Sequence, residues 1–158
     1  MTEWLPPLVC LPDYQNDFTK YLGAVYAYFK EDFIDSKVLF EKTRISLKRH
    51  PQFQNKEYVF WHITSEGDVE TERTPDIRRC ERIRWIKPII ENASGPAVKQ
   101  WENNRKGDRR VCLWLEEEDY LVVLALRKDY VLLWTAYMTN FENTRQKLQK
   151  EYKRSLKG

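Results

Sequence analysis

Cysteine, glycine and histidine are all scarce in this chain of 158 residues, and each scarcity removes a class of protein. The three cysteines, Cys10, Cys80 and Cys112, lie far apart and form no C-x-x-C pair. That spacing excludes a zinc ribbon and a disulfide framework, and it marks them as reduced packing residues. Five glycines build neither a P-loop nor a G-x-G-x-x-G turn, and H-E-x-x-H and G-x-S-x-G are missing too. Nucleotide-binding α/β folds, zinc proteases and α/β-hydrolases are therefore not indicated. The longest apolar stretch, 120–126, is far too short to span a bilayer, and Met1-Thr2-Glu3-Trp4 opens no signal peptide. The expectation is a cytoplasmic protein without a membrane partner. An excess of one charge is also missing: 27 basic against 24 acidic side chains leave +3, which permits a nucleic-acid partner without requiring one.

Aromatic side chains are abundant: six tryptophans, nine tyrosines and seven phenylalanines. They supply rigid core material for one domain spanning 1–158, and surfaces on which bases could stack. Residues 1–36 read as an N-terminal helical extension. Pro6, Pro7 and Pro12 favour an extended lead-in, and Asp13 is placed to cap a helix running to about 35. Strands are expected at about 37–48 and 57–64, with the turn-prone Pro51 to Asn55 between them and a polar loop from Glu66 to Thr74. Thr74-Pro75 reads as the start of a helix reaching about 91 and bent or ended by Pro88. A short helix at 95–104 leads to the Lys106-Gly107-Asp108 turn. Strands at about 109–115, 119–127 and 130–138 have short links, which predict an antiparallel meander. The middle one is apolar on both faces and should be central. A basic amphipathic helix at about 140–155 closes the chain. The fold class is α+β: an antiparallel sheet of about four to five strands, with N-terminal and central helices packed on it and a C-terminal helix.

Within that frame a few polar residues stand out. His62, one of two histidines, lies in the aromatic run 57–64. It is either a half-buried histidine satisfied by a hydrogen bond or a proton carrier at a site. On the 75–91 helix, Ile83, Ile86, Ile89 and Ile90 define the apolar face, and Arg79 and Arg82 fall within it by azimuth. Guanidiniums aimed at the sheet require a carboxylate, such as Glu57 or Glu81, or an anion such as phosphate. Thr135 and Tyr137 are two apart on a strand, so they share a face, with Val131 and Leu133 expected beside them. Basic clusters at 48–50, 105–110 and 147–154 could follow a nucleic-acid backbone or simply be solvated.

The run Phe60-Trp61-His62-Ile63-Thr64, then Arg79 to Ile86, then Tyr120 to Leu124, then Leu133-Trp134-Thr135-Ala136-Tyr137 resembles a phage- and mobile-element-associated group. That group belongs to the barnase–EndoU–colicin–RelE-like (BECR) nuclease superfamily, and the resemblance covers roughly 37–155. It implies a metal-independent endoribonuclease, used as a toxin or in phage–host conflict, with RNA as substrate and no cofactor. It also implies an antitoxin or immunity protein as partner. The resemblance assigns His62 as general base or acid. It gives Arg79 and Arg82 to the scissile phosphate, and Thr135 and Tyr137 to its orientation. The alternative is a non-catalytic RNA- or protein-binding domain, such as a phage accessory protein, on the same scaffold.

Overall fold

A computed structural model describes residues 2–67 and 74–157. The lead-in runs extended and is fastened at three points: Val9 N donates to Glu81 O, Tyr21 Oη to Val9 O, and Trp85 Nε1 to Pro6 O. A 3-10 turn at Leu11–Tyr14 contains Asp13, so that residue caps nothing. Gln15 and Asn16 then take positive φ, and Asp17 is the cap of α1 (Phe18–Phe33), accepting from the backbone N–H groups of Thr19 and Lys20. The helix buries Tyr21, Val25, Phe29 and Phe33, spaced one turn apart, against the core.

The expected strand at 37–48 is a tight hairpin, β1 (Leu39–Phe40) and β2 (Thr43–Ser46), with positive φ at Glu41 and Lys42. The run expected as a strand at 57–64 is instead a helix, α2 (Tyr58–Thr64). Val59, Phe60, Ile63 and Thr64 are buried, which is the i, i+1, i+4, i+5 pattern of a helical face. The first N–H groups of α2 donate to the carbonyls of Lys48 and Arg49, so its start is satisfied by the neighbouring chain. Thr74-Pro75 does not start a helix: β3 (Ser65–Glu66) pairs with β4 (Thr74–Pro75), and Asp76 caps α3 (Ile77–Glu81). The central part of the loop expected between them, 68–73, lies outside the described residues.

The helix expected over 75–91 is broken, and not at Pro88. Arg82 leaves helical geometry, a 3-10 turn comes next at Ile83–Trp85, and α4 (Ile86–Glu91) restarts with Pro88 in its first turn, where a missing N–H does no harm. The helix expected at 95–104 is also corrected. Lys99–Arg105 is strand β5, joined to β6 (Asp108–Leu115) by a two-residue turn with positive φ at Lys106 and Gly107. β7 (Tyr120–Leu126) and β8 (Val131–Met138) complete the meander, and α5 (Glu142–Leu156) closes it.

The fold is α+β, with a six-stranded sheet ordered β1-β2-β8-β7-β6-β5. The sheet is mixed rather than purely antiparallel, because β2 pairs with β8 in parallel, through Ile45–Val131 and Ser46–Leu132. β7 is central and buried on both faces, as its sequence predicts. One face carries the main core with α1 to α4. The other forms a second cluster of Trp101, Cys112, Trp114, Leu121, Val123 and Leu148, through which α5 packs on the sheet. Burial raises the thiols of Cys80 and Cys112 to about 12, as inert packing residues require. Among the described residues no helix is long and apolar enough to cross a membrane.

The packing sets the stability at two testable positions. Phe60 is fully buried against Tyr26, Phe29 and Trp61. Phe60→Ala is expected to remove about 3–5 kcal/mol in a urea titration. Asp32, near the C-terminal end of α1, has its carboxyl raised from 3.8 to about 6, chiefly by burial and against the pull of Lys87. Between those values the unfolded chain loses its proton first, so stability falls as pH rises, and the loss persists above about 6. Asp32→Asn is expected to raise the melting midpoint at pH 7 and to lose most of that gain at pH 4.

Candidate functional site along the β8 edge

β2 covers only the beginning of β8. Beyond Leu132 the edge of β8 is lined by α2, and there the ladder is irregular: Val123 pairs with Thr135 while Leu124 pairs with Leu133. Trp134 is the extra residue of a β-bulge. The bulge changes the strand's parity. Val131 and Leu133 point into the main core, whereas Tyr137 packs with the second cluster and Thr135 lines the cavity beneath α5. The expectation that all four share a face is thereby corrected, although Thr135 and Tyr137 do remain together.

The Trp134 carbonyl is met by an imidazole. His62 Nδ1 donates to it at 2.7 Å. A carbonyl can only accept, so Nδ1 carries a proton and, in the neutral ring, Nε2 carries the lone pair. The ring is half-buried, stacked on Tyr58 with centroids 5.7 Å apart and tilted against Trp134 at 5.5 Å. Tyr58 and His62 are four apart, so they share a face in the helix as they would in a strand.

Arg79, on α3, reaches the same place from the other side. Its Nη1 donates to Ser65 O at 2.7 Å and to His62 O at 3.4 Å, capping the C-terminal end of α2. Its Nε lies 3.5 Å from Asp76, and its guanidinium is 5.8 Å from the centre of the Tyr137 ring. Asp76, rather than Glu57, is thus its carboxylate; Glu57 is buried and accepts from Tyr26 Oη. Burial raises the Tyr137 phenol above its usual value, so at neutral pH it is a proton donor and not a base.

Thr135 and Tyr137 line a small cavity of about 120 Å³ beneath α5, together with Asn103, Arg105, Arg110 and Lys147. Arg110 extends the set: its guanidinium lies 5.2 Å from the Trp134 ring centre and is held by Asp108, which also binds Arg127. His62, Trp134, Arg110, Tyr137 and Arg79 therefore form a chain of contacts around β8, whose two ends, Arg110 and Tyr137, line the same cavity. Three of the five candidate residues belong to it, and a fourth, Thr135, lines the adjoining cavity. Arg82 points elsewhere: it donates to Arg78 O and Glu81, lies 5.1 Å from the Trp85 ring, and acts on the buried Tyr120 phenol.

Arg110, Lys147 and Asn103 are additions to the site. The signal for Arg110 is its alternation with Cys112 and Trp114 on β6, which puts a cation in an otherwise apolar inward row. Asn103 Nδ2 donates to Glu151, while Asn103 Oδ1 is buried and has no hydrogen-bond partner. Among the described residues no group of three or more His, Cys, Asp or Glu side chains could hold a metal ion. No family model, curated protein or solved structure matches the chain.

His62 thus holds a backbone carbonyl as well as standing in the site, and substitutions separate the two. His62→Ala orphans the Trp134 carbonyl and is expected to cost about 1–3 kcal/mol. His62→Asn puts an amide donor close to the position of Nδ1 and is expected to cost clearly less. Parallel denaturant titrations of both variants check this, and imidazole ¹⁵N shifts should report the Nδ1–H tautomer in the neutral wild-type ring.

Proposed function

We propose that this protein is a metal-independent endoribonuclease acting at the end of β8. The observation that carries this reading is the chain of contacts that brings an oriented imidazole, two guanidiniums and a phenol around one strand edge. In the proposed reaction His62 Nε2 takes the proton of a ribose 2′-hydroxyl. The 2′-oxygen bonds to phosphorus, the bond from phosphorus to the 5′-oxygen breaks, and the products are a 2′,3′-cyclic phosphate and a 5′-hydroxyl. Arg79 and Arg110 balance the charge that builds on the phosphorane oxygens, with Lys147 at the cavity rim. Thr135 orients the phosphate by hydrogen bonding, and Tyr137, kept protonated by burial, supplies the proton to the departing 5′-oxygen. Arg82 supports the fold around Tyr120 in this reading. The resemblance to BECR nucleases adds the biological frame: a toxin or phage–host conflict effector, silenced by an antitoxin or immunity protein.

A second reading has its own supporting observation. Arg79 Nη1 is already engaged with two backbone carbonyls, as in a scaffold that binds RNA or protein without cutting. Incubation with total RNA in EDTA distinguishes the two. Discrete fragments ending in cyclic phosphate are expected from the wild type, with cleavage reduced at least about 100-fold by His62→Asn and strongly by Tyr137→Phe. Salt-sensitive RNA binding with no product would favour the scaffold instead.

A further inference from the structure

A much larger cavity lies on the outer side of α2. It has a volume of about 540 Å³ and runs between the start of α1, the turn at 51–56 and α2 itself. Its walls are aromatic: Phe18, Phe53, Tyr58 and Trp61. The turn is built to present Phe53. Gln54 and Asn55 both take positive φ, Phe53 and Lys56 pair across them, and Phe53 O accepts from Trp61 Nε1 at 2.9 Å. Phe53 is consequently 61% exposed, a large ring held out by its own backbone.

Two features specify what this groove would take. The lining includes the side-chain amides of Gln52 and Gln54 and the ammonium of Lys56, and among the described residues it contains no carboxylate. Lys48 adds a second cation, 4.2 Å from the centre of the Tyr58 ring. Stacking surfaces with amides at the rim and cations alongside suit a flat heterocycle attached to an anionic backbone. Tyr58 joins the groove to the β8 site, because it forms part of the groove wall and stacks on the His62 ring.

We propose that this groove binds an unpaired nucleobase of a single-stranded RNA, the nucleotide flanking the phosphate that lies at His62. The base stacks against Phe53 and Trp61, its edge meets Gln52 or Gln54, and Lys48 and Lys56 neutralise the adjoining phosphates. The location beside the scissile bond rests on the endoribonuclease reading; the binding of single-stranded RNA in the groove does not. The groove is then the part of the protein that selects among cleavage positions, and a duplex, whose bases are already stacked and paired, is excluded from it.

The test uses Phe53→Ala and the double substitution Phe18→Ala/Phe53→Ala, both at exposed rings, with retention of the wild-type melting midpoint as the folding control. Binding is read by fluorescence anisotropy of a labelled single-stranded oligoribonucleotide in the His62→Asn background. Dissociation constants are expected to rise roughly tenfold for Phe53→Ala, as loss of one stacked base predicts, while the matching duplex competes poorly. In the cleaving protein KM should rise in parallel, kcat should stay within about twofold, and the pattern of cut sites should blur. If RNA is cut and the groove variants match the wild type in affinity and cut sites, the groove proposal alone is overturned. If RNA is bound and the variants weaken it but nothing is cut, the groove stands and the catalytic reading falls. Absence of RNA binding, or a self-associated species in sedimentation that Phe53→Ala dissolves, overturns the groove proposal in favour of another occupant.

Discussion

The arrangement depends on one short piece of sheet edge. β2 pairs with β8 over two residues and stops, and among the described residues no strand continues along that edge, whose backbone groups would otherwise be offered to another strand. The chain resolves this with side chains. A bulge turns the Trp134 carbonyl toward α2, and His62 donates to it. The helix that brings His62 is itself short, with its C-terminal carbonyls in need of donors, and Arg79 supplies one from α3. Edge, helix and arginine therefore hold one another in place. The same contacts that close the sheet also fix the imidazole tautomer and anchor a guanidinium beside it.

The bulge has a second consequence, through parity. A strand with strict alternation would send Leu133 and Thr135 to the same side. One inserted residue sends Leu133 into the main core and leaves Thr135 and Tyr137 to the side covered by α5. Two chemically different sides are thus brought round one edge: an imidazole arriving with the helices of the main core, and a hydroxyl pair arriving with the basic rim of the second cluster. Trp134 stands between them, touched by His62 on one side and by Arg110 and Arg127 on the other.

Much of the architecture was legible where periodicity and turn chemistry agreed. The meander from β6 to β8, the central place of Tyr120 to Leu126 and the basic terminal helix arise from short links, two-sided apolarity and a helical stripe. The failures have physical causes. In 57–64 the aromatic and β-branched residues favour a strand by propensity, but Val59, Phe60, Ile63 and Thr64 bury as a helical face. Asn103, Asn104 and the charges of 99–105 weaken any strand signal, and that segment is β5 because the Lys106-Gly107 turn folds it onto β6. The break at Arg82 leaves no mark comparable to Pro88, so a single wheel drawn over 75–91 misplaces Ile83 to Ile90 relative to Arg79. Of the site, His62, Arg79, Thr135 and Tyr137 were visible as residue types on patterned segments. Arg110 was hidden among exposed basic neighbours because its partners, Asp108 and Trp134, are set by strand register and by a bulge.

The partners of each guanidinium distinguish the arginines better than position on a helical wheel does. Arg82 is shielded, ion-paired with its sequence neighbour Glu81 and packed on Trp85, beside a buried phenol with no hydrogen-bond partner. A cation so placed steadies the interior. Arg79 is equally shielded, but it spans the end of α2 and the Tyr137 ring, so its charge is felt at the cavity whatever its hydrogen bonds do for the helix. Arg110 is the most open to an anion in chemical terms: one carboxylate, shared with Arg127, holds it against a tryptophan face at the wall of the cavity. A guanidinium pinned by a shared carboxylate retains donors in a fixed plane and needs little reorganisation to meet phosphate oxygens. That geometry makes Arg110, rather than Arg82, the natural partner of Arg79 in any chemistry at the end of β8.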